Sequence, residues 1–276
     1  MKTLVKSCLK KLGYELVRRN GTPNLEDPYP DLSKSEKKTF ELLKPFTMTS
    51  VERVTALIQA TEYLVENRIE GDIAECGVWR GGSMMAVALT LKEMGDTTRN
   101  LFLYDTFAGM SAPSERDRRF DGVPAEELLR ESDQNAIIWC YASLEDVRSN
   151  LLTTGYPESK IHFVEGRIEE TIPRTLPDRL CLLRLDTDWY ESTMHELTYL
   201  YPKLVEHGVL IIDDYGHWRG AKEATDNYFG QLDTKPFFHR IDYSGRLVIK
   251  LGEERDSKAL ESGQKDGKRN PRQITN

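Results

Sequence analysis

The chain has 276 residues and a formal net charge of −7, from 45 acidic and 38 basic side chains. That length supports one large α/β domain with a substantial core, and the acidic balance excludes a general nucleic-acid binder, whose surface is basic. No apolar run is long enough to span a bilayer. Lysines interrupt Met1 to Arg19 where a signal peptide needs a continuous apolar stretch. The four cysteines show neither CxxC nor zinc spacing, and Cys76 and Cys181 sit in apolar strands. Buried free thiols in a reducing cytoplasm are the expectation.

In chain order, residues 1–45 read as an N-terminal helix and linker. Leu4, Cys8, Leu12 and Leu16 recur at helical spacing over Met1 to Arg19, with lysines and arginines between them. Such a helix packs on the domain or on a second copy of the chain, giving a homo-oligomer; its basic face also suits peripheral membrane contact through residues 1–19. Asn20 to Leu32 is an extended linker, and Ser35 to Lys44 a short helix. The main domain, residues 46–251, opens with Ser50 as N-cap of a helix over Val51 to Asn67. Strands follow at Asp72–Val78, Leu101–Asp105, Ile161–Glu165, Leu180–Asp186 and Val209–Asp213. Helices alternate with them at Met84–Glu93, Leu144–Leu152, Glu191–Leu204 and Ala221–Phe229. Phe237–Ile241 and Arg246–Lys250 close the sheet as an antiparallel hairpin across Asp242-Tyr243-Ser244-Gly245. Alternation specifies a doubly wound α/β fold: a seven-stranded, mostly parallel Rossmann-like sheet with helices on both faces. The charged stretch from Ser111 to Pro124, over the strand ends, reads as a lid. From Gly252 to residue 276 the chain has almost no apolar residues and is expected to be disordered.

The chemistry concentrates at the C-terminal ends of the strands, where open α/β sheets bind ligands. Leu182-Leu183-Arg184-Leu185-Asp186 and Val209-Leu210-Ile211-Ile212-Asp213-Asp214 each deliver acids there. Asp186, Asp213 and Asp214 suggest a seat for a hard cation; helix capping needs a single side chain per helix. Glu75-x-Gly77 followed by Gly81-Gly82-Ser83 is a glycine-rich strand-to-helix turn that lets a ligand approach the backbone. It is not the GxGxxG of dinucleotide binding, which disfavours a NAD-dependent oxidoreductase. Asp105 stands where an acid accepts hydrogen bonds from a ribose diol. Together these features suggest S-adenosylmethionine, with Glu75 facing its cationic methionine end. His217 serves as a base, hydrogen-bonds an acceptor or satisfies a loop carbonyl. Trp189, Tyr190 and Trp218 stack on a sugar ring or pack at helix starts.

Four segments, DIAECGVWRGGS (72–83), LYDTFAGMS (103–111), LDTDWYEST (185–193) and IIDDYGHW (211–218), resemble the macrocin O-methyltransferase family over roughly residues 47 to 250. The resemblance implies a class I methyltransferase fold, S-adenosylmethionine and Mg²⁺ as cofactors, and a glycosylated small molecule or glycan as acceptor. It implies Asp186, Asp213 and Asp214 as metal ligands and Asp188 as general base. It implies Glu75, Gly77, Ser83, Asp105, Ser111 and Gly166 at the cofactor. The alternatives are a catechol-type or other diol O-methyltransferase, and a non-catalytic module that keeps the cofactor pocket.

Overall fold

The computed structural model describes residue 27, residues 29–133 and residues 136–252. The helix expected over residues 1–19 and almost all of the tail expected from Gly252 lie outside them. The second of the two units into which the chain divides begins at Lys38, within helix α1 (Lys34–Leu43). The second unit holds the sheet and the helices that cover it.

Helix α2 (Val51–Glu66) starts where expected, because the Ser50 hydroxyl accepts the Arg53 N–H, one of the donors a helix N-terminus leaves unpaired. The chain then alternates: β1 (Asp72–Cys76), α3 (Gly82–Glu93), β2 (Leu101–Asp105), α4 (Ala125–Glu131), α5 (Leu144–Thr153), β3 (Ile161–Glu165), α6 (Ile168–Thr171), β4 (Leu180–Leu185), α7 (Tyr190–Tyr199), β5 (Leu204–Ile212), α8 (Arg219–Gly230), β6 (His239–Arg240) and β7 (Arg246–Ile249). Among the described residues the sheet has seven strands in the order β3-β2-β1-β4-β5-β7-β6. The first five are parallel, and β7 is antiparallel to β5 and β6. The order reverses between β1 and β4, which opens a crevice at their C-terminal ends.

Side chains alternate between the two faces, as strand period requires. Ile73 and Leu182 join the core under α2, α3 and α5, while Ala74 and Leu183 join the core under α6, α7 and α8. Every residue of β4 is buried, which is why that strand reads as a continuous apolar run with one arginine in it. Several elements differ from expectation, among them the short α6, where no helix was expected. Helix α7 ends at Tyr199 and gives way to a 3₁₀ turn, Tyr201–Lys203, with Pro202 in its first positions, where a missing N–H breaks no helical bond. Strand β5 begins earlier than expected, at Leu204. Helix α4 and the 3₁₀ turn Ile137–Trp139 lie in a stretch whose sparse apolar residues carry no clear period. Cys76 and Cys181 are buried free thiols, as expected. No helix among the described residues is long and apolar enough to cross a membrane.

Candidate active site

The strand registers decide what meets at the crevice. Cys76 pairs with Tyr104 on one side and Leu185 on the other, and Leu185 pairs with Ile212. The next residue of each strand therefore emerges level with its neighbours: Gly77, Asp105, Asp186 and Asp213. They line a cavity of about 360 Å³, together with Ser83, Ser111, Gly166, Asp188, Asp214 and His217. That volume is in the range of small-molecule sites.

Gly77 is held at φ +80°, and a Cβ there would lie 2.0 Å from the Asp186 carbonyl oxygen. Only glycine lets β1 turn away this close to β4. Asp105 fixes the same turn: its Oδ2 accepts the N–H groups of Val78 at 2.6 Å and Trp79 at 3.1 Å, and its Oδ1 that of Phe107 at 2.7 Å. Burial raises its pKa, and the backbone donors pull it back.

Beyond β4 the chain does not continue as a strand. Asp188 sits at φ +67°, the left-handed region that asparagine and aspartate tolerate best. This turn, rather than strand period, brings Asp186, Asp188 and Asp214 together, with one carboxylate oxygen from each within 4.8 Å of the others. Burial pushes Asp186 up to about 6 and Asp188 up to about 7, and burial with the neighbouring Asp188 holds Asp214 well above the usual range. Asp188 does not cap α7, whose N-cap position is Trp189 and has no side-chain cap bond.

Asp213, expected as the third metal ligand, is turned to other partners. Arg184 Nη2 donates to its Oδ1 at 2.5 Å, and Arg53 Nη1 donates to its Oδ2. Glu75, expected at the cofactor, does not line the cavity. It is buried, and its Oε1 accepts from Arg184 Nη1 at 2.5 Å, as does Asp186 Oδ2 at 2.6 Å. Burial pushes Glu75 up to about 8 against the pull of Arg184. Both differences have one cause: two guanidiniums that sequence reasoning passed over. The signal for Arg184 was a lone charge within an apolar strand, since such a charge must be paired. Arg53, on α2, carried no signal of that kind. Six carboxyl groups (Glu75, Asp186, Asp188, Asp213, Asp214 and Asp242, which also pairs with Arg53) against two guanidiniums leave this centre short of positive charge.

His217 lies on the cavity wall, with Nδ1 3.0 Å from the Tyr243 hydroxyl. Burial and the nearby Arg119 lower its pKa, so the ring is neutral at pH 7. Trp189 and Trp218 are buried edge to face, with ring centroids 5.0 Å apart. They pack on each other and also line the cavity, and Trp189 Nε1 donates to the Ser111 carbonyl at 3.1 Å. The segment from Ser111 to Pro124 is docked against the chain around His217, and its first residue, Ser111, lines the cavity. Phe120 N–H donates to the His217 carbonyl at 2.8 Å and Arg219 N–H to that of Arg118 at 2.7 Å. Its anchor is Asp117, another residue the sequence did not mark. Asp117 is buried, accepts the α7 N-terminal N–H of Tyr190 at 2.8 Å through Oδ1, and accepts Ser114 N–H at 2.6 Å through Oδ2. Asp117→Ala strips both donors of their partner and is expected to cost about 1–3 kcal/mol. Urea unfolding measures this; unchanged stability would mean the segment is not pinned there.

A seven-stranded sheet with an antiparallel β7 thus carries a carboxylate-rich cavity at its switch point. The profile of the macrocin-O-methyltransferase (TylF) family matches residues 9–248, and the chain belongs to that family of O-methyltransferases. It is 31% identical over 199 residues to demethyldecarbamoylnovobiocin O-methyltransferase of Streptomyces niveus, covering 72% of this chain and 73% of the relative. It is 32% identical over 199 residues to the 8-demethyl-8-(2,3-dimethoxy-alpha-L-rhamnosyl)-tetracenomycin-C 4'-O-methyltransferase of Streptomyces olivaceus, with the same coverage. The solved structure of the O-methyltransferase NovP is similar at a TM-score of 0.65 and 29% identity, over 75% of this chain and 83% of that one.

Proposed function

We propose that this enzyme methylates a hydroxyl of a sugar moiety, on a natural product or a glycan, using S-adenosylmethionine and Mg²⁺. The observation that carries this reading is the carboxylate turn, Asp186, Asp188 and Asp214, in one cavity with the Gly77 and Asp105 turn. The rhamnosyl acceptor named for the Streptomyces olivaceus relative supports a sugar.

The donor set fits both cofactors. Carboxylate oxygens suit Mg²⁺, and the shortage of positive charge suits a sulfonium as well. Asp186 and Asp214 would hold the metal, while Asp213 stays with its arginines. Gly77, Ser83 and Gly166 would border S-adenosylmethionine, and the Asp105 carboxylate would accept from a ribose hydroxyl. When bound, the two groups supply a transferable methyl and a cation that acidifies a coordinated hydroxyl. Asp188 takes the proton that the acceptor hydroxyl gives up. His217 hydrogen-bonds the acceptor, and the docked segment from Ser111 to Pro124 shields that end of the cavity from water. Glu75 acts indirectly, by holding Arg184 against Asp186 and Asp213.

EDTA should abolish turnover and Mg²⁺ restore it, measured as methyl transfer from labelled S-adenosylmethionine to a rhamnosylated acceptor. Full activity in metal-free buffer would overturn the metal part of this proposal.

A further inference from the structure

Glu196, on α7, has no part in the scheme above. It is 0% exposed, an expensive place for a carboxyl group unless it is paired. Its Oε1 accepts the Thr187 hydroxyl at 2.9 Å, and its Oε2 has no partner among the described residues. Thr187 is the residue between Asp186 and Asp188. The ends of that turn are tied elsewhere: Asp186 N–H to the Cys76 carbonyl at 2.8 Å, and Asp188 N–H to Asp214 Oδ2 at 3.3 Å. The Thr187 side chain is tied to the body of α7 through Glu196.

We propose that Glu196 is a positioning residue: by holding Thr187 it sets the spacing of Asp186 and Asp188, and through them the affinity of the cation seat. This rests on the reading of those carboxylates as a cation site. Partners behind the first ligands typically alter metal affinity 10- to 100-fold when removed, because they fix how the ligands point. Burial raises the pKa of the Glu196 carboxyl, and towards the Thr187 hydroxyl it is the acceptor. A glutamine keeps that acceptor oxygen; a leucine does not.

The test is Mn²⁺ binding to the full chain, followed by electron paramagnetic resonance, beside melting temperatures. Thr187→Val and Glu196→Leu should each weaken Mn²⁺ binding about tenfold, and the double variant should be no weaker than the poorer single one. Glu196→Gln should bind Mn²⁺ like the unsubstituted protein. Thr187→Val keeps the side-chain shape at a half-buried position and should melt near the unsubstituted protein, which separates positioning from unfolding. Unchanged Mn²⁺ affinity in Thr187→Val, or a Glu196→Gln as weak as Glu196→Leu, overturns the role of Glu196. Absence of Mn²⁺ binding by the unsubstituted protein overturns the cation seat and this inference with it.

Discussion

Asp188→Asn is expected to fold and to bind S-adenosylmethionine normally while turnover falls on the order of 10²–10⁴-fold, the size of a lost general base. The substitution is clean because of the backbone. Position 188 is at φ +67°, a conformation asparagine adopts with little strain, so the turn survives and only the basicity is removed. Alanine there would mix strain with chemistry. The pH profile adds a second check. Asp188 must be ionised to take a proton, so turnover rises as pH rises through its pKa. Without a cation, burial pushes that value up to about 7. A cation beside the carboxylate favours its charged form, so raising Mg²⁺ should move the acid limb below 7, and Asp188→Asn should lack that limb. His217→Asn removes a hydrogen bond to the acceptor and is expected to cost less. A fully active Asp188→Asn beside a dead His217→Asn would transfer the proton to the imidazole and refute the assignment.

Gly77→Ala is expected to be more damaging than any of the carboxylate changes. At φ +80° an alanine carries backbone strain of about 1–3 kcal/mol. Its Cβ would also fall 2.0 Å from the Asp186 carbonyl oxygen, a backbone atom that cannot swing aside. Relief requires β1 and β4 to part at the point where they deliver the site. Both melting temperature and calorimetric affinity for S-adenosylmethionine should fall together. A variant that melts normally and binds the cofactor with unchanged affinity would show that the close approach of the two strands is not needed.

Much of this was legible in the chain itself. Short continuous apolar runs, glycine punctuation and the hydroxyl of Ser50 are local signals, and they located the strands, the α2 start and the turn across Asp242 to Gly245. Acids placed just after apolar strands marked the functional end of the sheet, because a polar group there is wasted unless it meets a ligand or caps a helix. Ten of the eleven residues singled out for the metal, the cofactor and catalysis line one cavity; Glu75 is the exception, held by Arg184 in a buried ion pair.

The sequence by itself determined that acids would gather at the ends of β4 and β5, since strand order along the chain and apolar burial leave no other exit for those residues. Only the tertiary structure decided which acids meet. Arg53 and Asp213 are far apart in the chain, and Arg184 reaches Glu75, Asp186 and Asp213 only because β1, β4 and β5 are neighbours in register. Those guanidiniums hold Asp213, while Asp188 joins Asp186 and Asp214 through a left-handed turn that strand periodicity does not foresee. Charge pairing over long sequence separation, and one residue of unusual backbone conformation, are the physical reasons the partnership could be seen only in the folded chain.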